Sequence, residues 1–382
     1  MVKVSIVNGL VLIFLGSFVK LQNLMTAQKS MKVDKVDWES SIKDKAKYDE
    51  LVDEERQPMS IVFIGHVDAG KSTTCGNILL LTGQVDQADV RKLKQEAKEK
   101  NRESWWIAYL MDIGEEEKTK GKTVEVGKAR FNTASKRLTI LDAPGHKNYV
   151  PNMIAGASQA DVAALVISAK TGEFESGFEK GGQTTEHAML AKSLGVKNLI
   201  LLINKMDEST INWSQNRFEH IKKQLLPYLI NTCGYEETNL YWIPYSALNG
   251  DNMKEGIKDP KGSWYKGPTF FEVLDNLPLP QRDPEGPVRI PVLDKYKDGG
   301  NLFVFGKVES GTIVHSNNFF LNLITYISGS KLTLVPIGET VTIHAIYNDD
   351  DKRIPYAKPG EGVKVNFSQN VIKFILASYQ RY

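Results

Sequence analysis

Gly65-His66-Val67-Asp68-Ala69-Gly70-Lys71-Ser72 lies between an apolar run, Met59-Ser60-Ile61-Val62-Phe63-Ile64, and a second one that ends Ile78-Leu79-Leu80-Leu81. That order predicts strand, glycine-rich turn and helix, the setting of a phosphate-binding loop. Gly65 and Gly70 let the backbone curl so that successive N–H groups and the helix N-terminus face one polyanion. Lys71 is then placed to reach the β- and γ-phosphates, and the Ser72 hydroxyl to hold Mg²⁺. The loop alone does not choose between ATP and GTP.

The surrounding chain has 382 residues, of which 41% are hydrophobic and 25% charged. It is globular material with room for about two or three domains. A formal charge of +2 gives no global field to recruit DNA, RNA or an anionic membrane, so any RNA contact must come from a local patch. Two cysteines, Cys75 and Cys233, make no disulfide framework, and a reducing, cytoplasmic setting is expected. Ser5 to Val19 is almost wholly apolar but shorter than the roughly 20 residues that span a bilayer. It is like a signal-peptide core yet lacks a cleavage site, so it is read as an extension without signal function, and no membrane association is expected. Lys29 to Gln57 is rich in Lys, Asp and Glu and reads as a solvated linker or marginal helix, so residues 1–57 are set apart from the first domain.

Beyond the loop, Asp86 to Leu110 predicts a helix with Val90, Leu93 and Ala97 on one face, leading into a mobile loop. Trp105, Trp106 and Tyr109 there are read as packing, because no basic groove surrounds them. A charged stretch, Glu115 to Lys122, ends at Thr123, which in a nucleotide switch binds Mg²⁺ and the γ-phosphate. Strands at Lys128 to Thr133 and Arg137 to Leu141 follow, joined by Ala134-Ser135-Lys136. The second delivers Asp142-Ala143-Pro144-Gly145-His146. Asp142, at the end of a buried strand, fits an outer partner of Mg²⁺. Gly145 offers an N–H to the γ-phosphate, and His146 is the candidate for orienting the attacking water.

Asp161 to Ala169 and Asn198 to Ile203 are continuous apolar runs of the kind buried on both faces of a parallel sheet. Between them a loop, Lys170 to Gly182, precedes a helix, Gln183 to Leu194. The later run ends at Asn204-Lys205-Met206-Asp207, which chooses the base. The Asp207 carboxylate can accept from both N1–H and N2–H₂ of guanine, and adenine offers no such pair. Asn204 can reach the N7/O6 edge or brace the phosphate loop, and the Lys205 stem can lie on the base. A last strand, Leu240 to Pro244, runs into Ser246-Ala247-Leu248, whose backbone N–H can meet guanine O6.

These five elements, in this order, resemble translational GTPases over roughly residues 59 to 280, and most closely the eukaryotic class-II release-factor family. The stretches that carry the likeness are GHVDAGKST, GKTVEVGKARF (Gly121 to Phe131), LDAPGHKNYVPNMIAGASQAD (Leu141 to Asp161), GFEKGGQTTEHAMLAK (Gly177 to Lys192) and NKMD. tRNA-delivering and ribosome-rescue relatives look similar, but typically carry serine at the position of Ala69 and an apolar residue at that of Lys122. The resemblance implies an α/β P-loop GTPase domain with a mostly parallel sheet, followed by a small β-barrel. It implies a monomer that binds GTP and GDP with Mg²⁺, and hydrolyses GTP on the ribosome beside a class-I release factor at a stop codon. Phosphate contacts fall on Asp68, Ala69, Gly70, Lys71, Ser72 and Thr73, and Mg²⁺ on Ser72 and Thr123. Water positioning falls on His146, and guanine on Asn204, Lys205, Asp207 and Ser246 to Leu248. Val67 is implied as an apolar neighbour that keeps His146 turned away until the ribosome rearranges it.

After Asn276 a proline-rich linker leads to short strands expected at Val288 to Leu293, Leu302 to Ser310, Asn318 to Leu323, Thr340 to Tyr347 and Gly362 to Asn366. Domains are therefore expected at 58–280 and 285–367. Leu321 to Val335 is longer than the family's hairpin and reads as an inserted loop or a translated intron. The family continues into a third, all-β domain with the main class-I release-factor contact, which residues 368–382 do not resemble.

Overall fold

The computed structural model describes residues 3–7, 10–14, 56–101, 105–111, 127–144, 150–179, 182–298, 301–314, 331–334, 339–348 and 351–367. Within the apolar first segment, β1 (Lys3–Val7) and β2 (Leu10–Phe14) pair antiparallel, with Val7 opposite Leu10. The rest divides into two compact units, one built on Arg56–Leu279 and one beginning at Pro280.

In the first unit the elements are β3 (Gln57–Gly65), α1 (Lys71–Leu81), α2 (Gln87–Glu99), β4 (Gly127–Asn132), β5 (Lys136–Asp142), α3 (Val150–Ala157), β6 (Val162–Ser168), α4 (Glu173–Phe178), α5 (Gln183–Ser193), β7 (Asn198–Asn204), α6 (Gln215–Pro227), β8 (Leu240–Pro244) and α7 (Phe270–Asn276). The strands form one sheet in the order β4-β5-β3-β6-β7-β8, antiparallel at β4–β5 and parallel elsewhere. Alternate residues of β3 serve opposite faces, as strand geometry requires. Val62 and Ile64 pack with Leu165, Leu201 and residues of α5 and α6, whereas Ile61 and Phe63 pack with Ala164, Leu202, Ile78 and Phe270. Both faces being covered explains why β6 and β7 read as unbroken apolar runs.

The chain passes from β3 to β5 on one side and then to β6 on the other. This reversal opens a crevice at the carboxyl ends of the strands, where an α/β sheet takes its ligand. Residues 65–70 lie there, and so do the ends of β5 and β7.

Two expectations change in this unit. The loop from Lys170 to Gly182 contains α4, which Gly172, at φ +87°, lets the chain enter. The helix expected over Asp86 to Leu110 ends at Glu99; Ala108–Leu110 is a separate short turn in which Tyr109 is buried. That turn packs against α1 through Gly76, where an added Cβ would sit 2.1 Å from the Ile107 carbonyl oxygen. Lys94 lies 4.6 Å from the centre of the Trp106 ring, a cation–π contact that ties α2 to the same patch.

The β4–β5 hairpin is fixed to α7 by polar contacts. The buried Lys136 ammonium donates to the carbonyls of Leu274 (2.5 Å), Asp275 (3.1 Å) and Leu277 (2.5 Å), capping the end of the helix. Asp275 Oδ1 accepts in turn from Thr133 Oγ1 (2.6 Å) and from the N–H (3.0 Å) and hydroxyl (2.7 Å) of Ser135. Burial pushes the Asp275 carboxyl up, but these hydrogen bonds outweigh it and hold the group below its usual range.

The second unit is antiparallel. Its strands are β9 (Val292–Asp298), β10 (Asn301–Lys307), β11 (Ile313–Val314), β12 (Lys331–Leu334), β13 (Glu339–Asn348), β14 (Arg353–Ile354), β15 (Tyr356–Ala357) and β16 (Gly362–Phe367). The main sheet runs β12-β13-β16-β10-β9, β14 pairs with β13, and β11 pairs with β15, a pattern consistent with a small barrel. Val304, Val308, Ile343, Ile346, Val363, Val365 and Phe367 form its core. The strand expected from Val288 starts only at Val292, because Pro287 and Pro291 cannot donate to a ladder. Part of the segment read as an inserted loop, Lys331–Leu334, is a strand paired with β13. The strand expected at Asn318 to Leu323 lies outside the described residues, as does everything after Phe367. Among the described residues no helix is long and apolar enough to cross a membrane.

Candidate functional site

The turn after β3 is shaped by its glycines. Gly65 has φ +137°, and a Cβ there would meet the Val166 carbonyl oxygen at 2.3 Å; Gly70 has φ +97°, and a Cβ there would strike the Asn204 amide at 2.3 Å. Asp68 is also left-handed, at φ 60°, the kind of strain that persists where surrounding structure over-determines it. Lys71, 6% exposed, reaches back across the turn to the carbonyls of Gly65 (3.1 Å) and His66 (2.8 Å). Two of the ammonium's three hydrogens are so engaged, which leaves one for a phosphate oxygen. Burial pulls this ammonium below its ordinary value, while the carboxylates of Asp142 and Asp68 pull it up.

The turn is held from behind by α5. His187 Nδ1 accepts from the Gly65 N–H (3.0 Å), and Gln183 Oε1 from the Val67 N–H (3.2 Å). Burial first, then the Lys71 and His66 charges, push the His187 pKa down to about 3. The imidazole is therefore neutral near pH 7 and able to accept at Nδ1.

Asn204, at the end of β7, connects three parts of the chain. Its amide nitrogen donates to the Ala69 carbonyl (2.8 Å) and its amide oxygen accepts from the Ala247 N–H (2.9 Å). Of the two roles open to it, this geometry is the brace. On the same side, Asn77 of α1 donates to the Ala247 carbonyl (2.7 Å), and Thr74 and Tyr245 share a buried hydroxyl hydrogen bond (2.7 Å). Asp207 is half-buried and receives a hydrogen bond from Asn249 (3.0 Å), while Leu248 is 49% exposed beside it. Lys205, left-handed at φ 62°, extends to Glu173 (2.7 Å).

Of the residues singled out from the sequence, Val67, Asp68, Ala69, Gly70, Lys71, Ser72, Thr73 and Asp142 meet at one end of the crevice, and Asn204, Lys205, Asp207, Ser246, Ala247 and Leu248 at the other. Thr123, Gly145 and His146 lie outside the described residues. Sequence reasoning missed Gln183, His187, Thr74, Asn77, Tyr245, Asn249 and Glu173. Only Gln183 and His187, in the quoted stretch GFEKGGQTTEHAMLAK, carried any signal.

The Ser72 hydroxyl and the fully buried Asp142 carboxylate are hard oxygen donors, a set that fits magnesium. Among the described residues no group of three His, Cys, Asp or Glu could hold a metal unaided.

A glycine-rich turn between a buried strand and a helix, joined by one asparagine to the Ser246-Ala247-Leu248 loop, defines a P-loop nucleotide-binding domain. The profile of the elongation factor Tu GTP binding domain matches residues 56–281, and the chain belongs to that family. Among its relatives, the eukaryotic peptide chain release factor GTP-binding subunit of Schizosaccharomyces pombe is 44% identical over 311 residues, covering 81% of this chain and 45% of the relative. The protein of that name from Dictyostelium discoideum is 48% identical over 316 residues, covering 82% and 54%. The chain thus spans about half the length of these relatives. The Ski7 GTPase-like domain of S. cerevisiae, solved with GDP and inorganic phosphate, shares the fold at 21% identity, with a TM-score of 0.67 over 85% of this chain and 72% of that one.

Proposed function

We propose that this protein binds and hydrolyses GTP as a translation factor, and that it serves stop-codon termination on the ribosome as the class-II partner of a class-I release factor. The observation that supports it most is Asn204, whose two amide atoms draw the phosphate turn and the Ser246-Ala247-Leu248 loop together beside Asp207. The names of the relatives, and Ala69 and Lys122 in the sequence, favour termination over tRNA delivery or ribosome rescue. In this reading residues 58–280 are the GTP-binding domain and 285–367 a β-barrel second domain, in a cytoplasmic monomer.

The roles follow from the chemistry of each group. Amides of Asp68 to Thr73 and the Lys71 ammonium hold the phosphates; Asp207 accepts from the guanine N1–H and N2–H₂ edge, and the Ala247–Leu248 backbone faces O6. Ser72 and Thr123 would hold magnesium, with Asp142 behind them, and the ion when bound would supply neutralisation of phosphate charge. His146 orients the attacking water, a positioning task rather than covalent chemistry.

Calorimetry with GTP, ATP and xanthosine triphosphate in the presence of magnesium tests the reading. The wild type is expected to take GTP at least about 100-fold more tightly than ATP, since a wrong base leaves a buried acceptor unpaired. Asp207→Asn is expected to shift preference towards xanthosine triphosphate. Equal uptake of ATP and GTP would overturn the guanine assignment. Capture of a class-I release factor, rather than aminoacyl-tRNA, tests the choice of partner.

A further inference from the structure

Outside the residues already given a role, a cluster of charged side chains surrounds Glu173 next to Lys205. We propose that Glu173 is a positioning residue: its carboxylate fixes Lys205 so that the lysine stem stands as a preformed wall of the guanine slot. The proposal rests on the guanine-nucleotide reading above and deepens it.

Glu173 Oε2 receives both the Lys205 ammonium (2.7 Å) and the Ser168 hydroxyl (2.7 Å). Its other oxygen faces the Lys170 ammonium at 3.4 Å. Ser168 is held in turn, because its hydroxyl oxygen accepts from the Lys170 N–H (3.2 Å). The Lys205 and Glu173 side chains are 28% and 31% exposed, so the pair is shielded more than a surface ion pair. Burial raises the Glu173 carboxyl, but the hydrogen bonds from Lys205 and Ser168 outweigh it and keep the group ionised.

The support beneath Glu173 is itself anchored. Arg217 of α6 pairs with Glu175 (2.8 Å) and donates to the Ala169 carbonyl (2.7 Å). Phe174 is buried and stacks on Phe178 at 5.5 Å. Helix α4 is thus tied to α6 on one side and to Lys205 on the other. A lysine stem has four rotatable bonds, and freezing it before the ligand arrives removes an ordering cost from binding. The left-handed backbone at Lys205 aims the stem, and Glu173 stops it from swinging back into solvent.

The test is the rate at which GDP leaves the full chain, followed by chasing a fluorescent GDP with excess unlabelled GDP. Glu173→Ala is expected to speed release about 10-fold, and Glu173→Gln, which can still accept from Lys205, by a smaller factor. Lys205→Met removes the ammonium that Glu173 holds, and the GDP release rate of that variant is the reference for the double variant. In that background Glu173→Ala is expected to add less than about twofold, because the two changes remove the same interaction. Equal acceleration with and without Lys205 would show that Glu173 acts on the fold at large and would overturn the proposal, as would an unchanged rate in the single variant. If the wild type holds GDP no better than ADP, the guanine reading itself fails and the proposal falls with it.

Discussion

The two ends of the crevice are built on different physics. At the end proposed for the phosphates, the phosphate end, Lys71, Asp142 and His187 are all at most 6% exposed, and the turn is held by hydrogen bonds to the neutral His187 and from the enclosed Lys71 ammonium. At the end proposed for the base, the base end, Lys205, Glu173, Asp207 and Asn249 are partly or wholly open to water, and one ion pair and one amide–carboxylate hydrogen bond do the holding. A buried donor or acceptor stripped of its partner cannot recruit water in its place, whereas an exposed one can. Shape at the phosphate end is therefore close to all-or-none, and at the base end it is adjustable.

Substitutions ranked by expected effect probe this contrast. Gly65→Ala drives a Cβ into the Val166 carbonyl at a left-handed backbone position and is expected to lower stability by about 4 kcal/mol or more in urea denaturation. A loss below about 1 kcal/mol would mean the phosphate end is softer than described. Asn204→Ala leaves both the Ala69 carbonyl and the Ala247 N–H without this partner, for an expected loss of about 3 kcal/mol in the same measurement.

His187, bonded to Gly65, tests the phosphate end through pH. Its folded pKa, about 3, lies below the ordinary 6.5, so the unfolded chain binds the extra proton between these values. Stability is then complete above pH 6.5 and falls as pH falls, by up to about 2 kcal/mol at pH 5 from this group alone. His187→Gln keeps an acceptor for Gly65 but cannot titrate, and should flatten that slope; an unchanged slope would remove His187 from the account. At the base end, Asn249→Ala deletes an exposed hydrogen bond to Asp207 and is expected to cost below about 1 kcal/mol in GDP affinity. A larger loss would make the base end as rigid as its counterpart.

The same contrast governs what could be read without coordinates. The phosphate turn and the two-face burial of β6 and β7 are legible because local pattern fixes each, whereas Asp207 and Ser246 to Leu248 are linked only by their place in an ordered series of motifs. The bond from His187 to Gly65 spans 122 positions and that between Thr74 and Tyr245 spans 171, and no periodicity announces such meetings. Nothing in the sequence around Gly76 announces the Ile107 carbonyl that lies against it. In the second unit, β12 was hidden inside a stretch too long for the expected hairpin, because pairing with β13 is decided by the partner strand and not by its own four residues.

Lys136 carries a consequence for synthesis. Its ammonium meets the Leu274 carbonyl across 138 positions, so a nascent chain holds this lysine without its cap until α7 has been made. At translation rates of about 5–20 residues per second, that interval is about 7–28 s. Throughout it the β4–β5 hairpin carries a cation that cannot yet be enclosed, which keeps one edge of the emerging sheet wet and closes the unit only when its last helix arrives.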